Sequence, residues 1–208
     1  MKKVTEALSL PTSKEPGDLP GILASAYGPS PTCDIDRSAM WAAVLVPLFE
    51  EDGEARAVLT RRSEKMRTHT GQVAFPGGRI EPGEQAEQAA LREATEEVGL
   101  DARIVKVVGE LQPLSTLSGT GAIRPFVGAL SSRPELVPNP DEVARIFDVA
   151  LAELLSDGVW HEERWDIPGR PNSPVWFFEL AGETIWGATA RILVDLLSRV
   201  IGLVSNAA

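Results

Sequence analysis

Cysteine is almost absent: Cys33 stands alone among 208 residues, so no intrachain disulfide is available. Histidine is nearly as scarce, and the two present, His69 and His161, have no cysteine or histidine neighbours with which to form a zinc site. Basic residues are outnumbered, 20 Lys and Arg against 30 Asp and Glu, for a formal net charge of -10. Phosphate backbones and anionic lipid surfaces select basic proteins, so neither nucleic acid nor a membrane is the expected partner. No apolar run approaches the length that spans a bilayer, Met1-Lys2-Lys3 leads into polar residues rather than an apolar leader core, and Ser205-Asn206-Ala207-Ala208 is not a peroxisomal address. Internal repeats and low-complexity tracts are missing too. What remains is the composition of an ordinary soluble domain, 43% hydrophobic and 24% charged, expected in the cytoplasm.

Residues 11–37 are rich in Pro, Gly and Ser and offer at most a short helix near 19–27. Residues 1–37 are therefore read as an arm packing on a domain that spans 38–208. Within the domain, 40–49 (MWAAVLVPLF) and 55–60 read as two strands of a hairpin joined by the polar turn 50–54. A short strand at 72–75 follows, then strands at 103–111, 122–130, 143–149 and 175–180, with a short helix at 151–155. A long helix at 187–204 closes the chain, its Ile192, Leu193, Leu196, Leu197 and Val200 forming a broad apolar stripe. Strands interleaved with helices predict a mixed sheet covered on both faces, an α/β class fold.

The densest chemistry lies in residues 77–100, GGRIEPGEQAEQAALREATEEVGL. Pro82 and Gly83 mark a turn, and Gly99 with Leu100 supplies a helix stop, leaving about three helical turns between them. Leu91, Ala94 and Val98 recur at the spacing of a buried stripe, while Glu93, Glu96 and Glu97 fall at i, i+3 and i+4 on another face. Like charges at that spacing repel by a few tenths of a kcal/mol per pair in water and by more where solvent is excluded. A cation is therefore expected among them, and hard divalent ions such as Mg²⁺ take carboxylate oxygens together with substrate phosphates. Glu84 stands at the helix start, where a carboxylate suits the dipole and can reach back to Arg92.

Gly78, Glu84 and the run Arg92-Glu93-Ala94-Thr95-Glu96-Glu97-Val98-Gly99-Leu100 resemble the complete signature box of the Nudix hydrolases. The one departure is Ala94, small for a position that usually holds a larger aliphatic. Upstream, Val58-Leu59-Thr60-Arg61-Arg62-Ser63, Arg67, Gly71 and Phe75-Pro76-Gly77-Gly78 resemble the coenzyme A pyrophosphatase branch of that family, with Val58 in place of Leu. The likeness extends to Ile185-Trp186-Gly187-Ala188-Thr189-Ala190 and covers roughly residues 40–200. It implies a Nudix α/β/α sandwich with a mixed β-sheet.

The resemblance also implies roles. Glu93, Glu96 and Glu97, with the Gly77 carbonyl, would bind Mg²⁺ or Mn²⁺, and Arg92 and Glu84 would orient them. The general base is either a box glutamate or an acid on a later loop. In Asn139-Pro140-Asp141-Glu142 the candidate is Glu142, with Glu110 and Asp141 behind it. Arg61, Arg62, Lys65 and Arg67 form the one dense basic cluster of an acidic chain, and arginine grips phosphate oxygens bidentately, so Arg61, Arg62 and Arg67 are the candidate substrate contacts. His69 is open between a phosphate contact and a plain loop residue; His161 reads as structural or exposed. The expected substrate is a small nucleotide, coenzyme A or a derivative being split into 3′,5′-ADP and a 4′-phosphopantetheine. ADP-ribose or another nucleoside diphosphate linked to a moiety is the alternative, and a silent nucleotide-binding module the alternative of another class. Homodimerisation is left open.

Overall fold

The computed structural model describes residues 40–66, 68–116, 121–167 and 170–200; the expected arm at 1–37 and Arg67 lie outside them. The hairpin forms as expected from β1 (Met40–Glu51) and β2 (Glu54–Arg62), which pair antiparallel from Leu48↔Ala57 to Glu51↔Glu54 around the turn at Asp52 and Gly53. Two short strands follow, β3 (Val73–Ala74) on β2 and β4 (Gly77–Arg79) on β1. The long helix α1 (Ala86–Val98) leads through a single 3-10 turn, Ala102–Ile104, to β5 (Lys106–Glu110). That turn takes the first residues expected to be strand, because the Asp101 side chain accepts the Arg103 N–H and caps it. Next come β6 (Leu114–Ser115), β7 (Gly121–Ala129), β8 (Val143–Ala150) and the one-turn helix α2 (Leu151–Leu154). The chain then builds β9 (Trp160–Ile167), β10 (Arg170–Leu180), β11 (Glu183–Trp186) and α3 (Gly187–Val200).

The first eight strands make one mixed sheet in the order β3-β2-β1-β7-β5, with β4 joined to β1, β6 to β7 and β8 to β2. β1 and β7 run parallel over nine residue pairs; the other pairings are antiparallel. A second, three-stranded antiparallel sheet has the order β11-β10-β9. Side chains alternate across the pleat of the main sheet, so its long strands feed two cores. Ala43, Leu45 and Val58 join Phe126 and Val143 beneath α1, whereas Val46, Leu48, Ala57 and Leu59 join α3 and Phe178 and Ile185 of the second sheet. The result is an α/β/α sandwich. Among the described residues no helix is long and apolar enough to cross a membrane.

The face α1 turns to the sheet is narrower than the sequence suggests. Ala86, Ala89, Ala90, Ala94 and Val98 are buried, while Leu91 is only half-buried. Alanines at the contact let the helix axis approach the strands closely, so the small Ala94 fits its place, at 1% exposure.

Candidate active site

α1 ends as its sequence requires. Gly99 adopts the left-handed conformation, its N–H reaching the Thr95 carbonyl at 3.0 Å, and the Leu100 N–H reaches the Ala94 carbonyl at 3.3 Å. This closes the last turn and sends Leu100 into the core. The three box acids do not share one environment. At 100° per residue, Glu96 and Glu97 lie on either side of Glu93, so packing α1 on the sheet turns Glu97 inward and leaves Glu96 in solvent. The Glu97 side chain is 4% exposed, that of Glu93 15% and that of Glu96 55%.

Glu97 is held by the first residue of β4 and by the end of β2. Its Oε2 accepts the Gly77 N–H at 3.0 Å, and its Oε1 lies 3.6 Å from Arg62 Nη1. Burial pushes its carboxyl up to about 7; the Gly77 N–H and the Arg62 charge pull the other way, and the Glu93 and Glu142 charges add to the rise. Burial also raises the Glu93 carboxyl, against the hydrogen bond from Arg92. Arg92 is the hub of this face. It donates from Nε and Nη2 to the two oxygens of Glu84, at 2.9 and 3.1 Å, and from Nη1 to Glu93 and Glu96, each at 3.0 Å. A fifth bond, from Nη2 to the Arg79 carbonyl at 3.1 Å, ties it to β4. The Arg92 guanidinium holds the Glu84 carboxyl below its ordinary range. Glu84 and Arg92 thus meet as expected from their spacing.

The acidic loop at 139–142 is laced to the same place. The Asn139 N–H donates to the Glu97 carbonyl at 2.9 Å, the Val137 N–H to the Val98 carbonyl at 2.9 Å, and the Ser63 N–H to the Glu142 carbonyl at 2.8 Å. The half-buried Glu142 is near enough for its charge to raise both Glu93 and Glu97. The other two acids weighed for the base are engaged elsewhere: Glu110 is gripped bidentately by Arg124 at 2.7 Å per bond, and exposed Asp141 pairs with Lys65 at 3.0 Å.

Among the described residues the basic cluster does not assemble into one patch. Ala57 and Leu59 point to the α3 face of β2, which puts Arg61 there, whereas Val58 points to the α1 face with Thr60 and Arg62. Arg62 therefore joins Glu97, while Arg61 lies 3.5 Å from Glu183 of β11. Lys65 goes to Asp141, and Arg67 is outside the described residues. His69 is exposed, with Nδ1 3.0 Å from Gln72 Oε1, and exposed His161 stacks on Phe177 with centroids 5.0 Å apart.

Among the described residues no three Asp, Glu, His or Cys side chains are already gathered as an ion would need, since Arg92 draws Glu93 and Glu96 to itself. The donor set nonetheless fits a hard divalent cation. It is all oxygen, and Glu93 and Glu97 are desolvated carboxylates that repel one another and Glu142. Two glycines make the room. A Cβ on Gly78 would lie 2.5 Å from the Glu93 carboxylate, whereas one on Gly77 would run into the backbone of Ala43 and Val44. Gly78→Ala is therefore expected to lower kcat by displacing Glu93 while moving the unfolding midpoint little. Gly77→Ala is expected to cost about 1–3 kcal/mol of stability by overpacking. Unfolding midpoints and kcat measured side by side check both, and equal effects of the two variants would refute the distinction.

The family model of the NUDIX domain matches residues 40–167. Over 173 residues the chain is 40% identical to NudL, an uncharacterised Nudix hydrolase of Photorhabdus laumondii, an alignment covering 83% of this chain and 91% of that one. It is 39% identical over 160 residues to NudL of Yersinia pestis, covering 76% and 79%. A MutT/nudix family protein from Enterococcus faecalis shares the fold, with a TM-score of 0.56 at 16% identity over 82% of this chain and 65% of that one. The family model matching residues 40–167 and the 40% identity to a Nudix hydrolase over 83% of this chain make it a member of the Nudix hydrolases, an enzyme that hydrolyses a phosphoanhydride bond.

Proposed function

We propose that the bond cleaved is the pyrophosphate of coenzyme A or its derivatives, giving 3′,5′-ADP and a 4′-phosphopantetheine in the cytoplasm. The observation that supports this most is the position of Arg62. It comes from the stretch that resembles the coenzyme A pyrophosphatase branch, and its guanidinium stands 3.6 Å from the buried Glu97 with its Nε buried and without a hydrogen-bond partner. A half-buried guanidinium with an unpartnered Nε beside an acid cluster suits a phosphoryl oxygen, which it grips with charge-assisted bonds.

Glu93, Glu96 and Glu97, with the Gly77 carbonyl, would hold Mg²⁺ or Mn²⁺. Bound there, a divalent cation lowers the pKa of a water and neutralises phosphoryl oxygens. The protein's own groups do the rest. Glu142 takes the proton of the attacking water, Arg62 binds the pyrophosphate, and Arg92, clamped by Glu84, sets the orientation of Glu93 and Glu96. The water oxygen bonds to one phosphorus as the bridging P–O bond breaks, and the departing phosphate keeps the bridging oxygen.

The test is the order of kcat/KM over coenzyme A, 3′-dephospho-coenzyme A, ADP-ribose and a dinucleotide. Coenzyme A is expected to lead, and by about ten- to a hundredfold over its 3′-dephospho form, since a charge-assisted phosphate contact is worth roughly 1.5–3 kcal/mol. Faster hydrolysis of ADP-ribose than of coenzyme A would move the substrate to the wider class of nucleoside diphosphates linked to a moiety.

A further inference from the structure

Arg61 leaves β2 on the face opposite Arg62 and enters a separate cleft. This cleft, of about 480 Å³, runs between residues 70–72 and the β10–β11 hairpin, and its walls include Arg61, Thr70, Gln72, Glu183, Thr184 and Trp186. Its size falls in the range of small-molecule sites. Two features give it a ligand chemistry. The first is charge. Glu183 is buried, and a single oxygen of it, Oε1, faces two guanidiniums: Arg145 donates a hydrogen bond to it at 3.3 Å, and Arg61 approaches no closer than 3.5 Å. Two positive charges share one negative charge, which leaves Arg61, 43% exposed, able to take an anion in a chain that is otherwise strongly acidic.

The second feature is an aromatic wall. Phe177 of β10 stands opposite both His161 of β9 and Trp186 of β11. The three rings form a row across the outer face of the second sheet, His161 on Phe177 at 5.0 Å and 4°, Phe177 on Trp186 at 6.3 Å and 7°. Trp165 braces the row from 5.9 Å and 6.0 Å. Trp186 is the last ring, on the outermost strand, stacked on Phe177, and the residue is part of the cleft wall. A braced indole at the end of such a row is a fixed plane on which a nucleobase stacks, and an outermost strand offers backbone donors and acceptors to a base edge.

We propose that this cleft is the subsite for an adenosine 3′-phosphate: Trp186 stacks on the purine and Arg61 takes the 3′-phosphate, while Arg62 serves the pyrophosphate on the other face. The inference rests on the coenzyme A reading of the site. It divides between two arginines the work that their adjacency in sequence suggests they share. Their Cα atoms are about 3.8 Å apart at the end of β2, so a ligand draped over that end of the strand reaches both faces.

The test is equilibrium binding of adenosine 3′,5′-bisphosphate and of 5′-AMP to the full chain in excess EDTA. The wild type is expected to bind the bisphosphate about tenfold or more tightly than 5′-AMP. Arg61→Ala should erase that difference, and Arg62→Ala should not. Trp186→Ala should weaken both ligands about tenfold, with Trp186→Phe restoring most of the loss because a phenyl ring still stacks; unfolding midpoints of all variants exclude misfolding as the cause. Absence of bisphosphate binding by the wild type, wild-type affinity in Trp186→Ala, or a 3′-phosphate preference that survives Arg61→Ala and is lost in Arg62→Ala would each overturn the proposal. Failure of the wild type to hydrolyse coenzyme A would instead remove the reading on which it rests. Hydrolysis of coenzyme A together with unaltered binding by both cleft variants would remove the cleft alone.

Discussion

Glu97→Gln is expected to lower kcat by about 10²-fold or more and, in the same protein, to raise the unfolding midpoint of the metal-free form. The two effects have one cause. Glu97 is buried, its carboxyl is pushed up to about 7, and in the apo protein its ionised form is opposed by Glu93 and Glu142. A group whose carboxyl is raised on folding contributes stability that is fully present below its unfolded value, near 4.5, and is lost as pH rises through about 7. At pH 8 the wild type therefore carries an ionisation cost on the order of 1–3 kcal/mol, allowing for local relaxation, that glutamine does not. Glutamine keeps an oxygen to accept the Gly77 N–H. The midpoint difference should be about 3–10 °C at pH 8 and close to zero at pH 4.5. Glu96→Gln should also lower kcat, but without the stability gain, because Glu96 is exposed and paired with Arg92. Thermal unfolding in EDTA at the two pH values, alongside kcat, checks the pair. A Glu97→Gln variant of wild-type activity and unchanged stability would mean that Glu97 is a satisfied core acid.

Chelation is expected to abolish turnover, and restoring Mg²⁺ or Mn²⁺ to recover it. The acid face holds Glu84, Glu93, Glu96, Glu97 and Glu142 against Arg92 and Arg62, and Glu93 and Glu97 are already pressed toward protonation by burial. A divalent cation relieves this repulsion only in the folded protein, so it also stabilises the fold, by about 2.7 kcal/mol at a hundred times its Kd. The midpoint should climb with metal concentration in the wild type and climb less in Glu97→Gln. Full activity in excess EDTA would exclude the metal role of these residues, and a metal-dependent midpoint identical in both proteins would exclude Glu97 as a ligand.

The acidic helix was legible because its signals are local: a turn at Pro82-Gly83, a stop at Gly99, and the Glu84 to Arg92 spacing that the structure closes with two hydrogen bonds. The hairpin of β1 and β2 was legible for the same reason. β9 was not. Seven of its eight residues, Trp160 to Asp166, are exposed, so no apolar alternation marks it, and its strand state comes from pairing with β10. The separation of Arg61 from Arg62 could have been read from the period-two pattern of β2, where Ala57 and Leu59 alternate with Val58 and Thr60. Charge density marks the cluster, but the pleat decides where each guanidinium goes. Two features had no signal in the chain at all. The contact of the Asn139 N–H with the Glu97 carbonyl, which brings Glu142 beside the helix, joins segments far apart in sequence. The fit of the Glu93 carboxylate over Gly78 depends on how closely α1 meets β4.

The most direct measurement is a product-resolved reaction of coenzyme A with the full-length protein and Mg²⁺, each product identified and quantified by chromatography and mass. Equimolar 3′,5′-ADP and 4′-phosphopantetheine, formed in step with loss of coenzyme A and about 10²-fold or more slowly in Glu97→Gln, is the expected result. Release of inorganic phosphate with 3′-dephospho-coenzyme A as the product, or intact coenzyme A beside rapid cleavage of ADP-ribose, would contradict it.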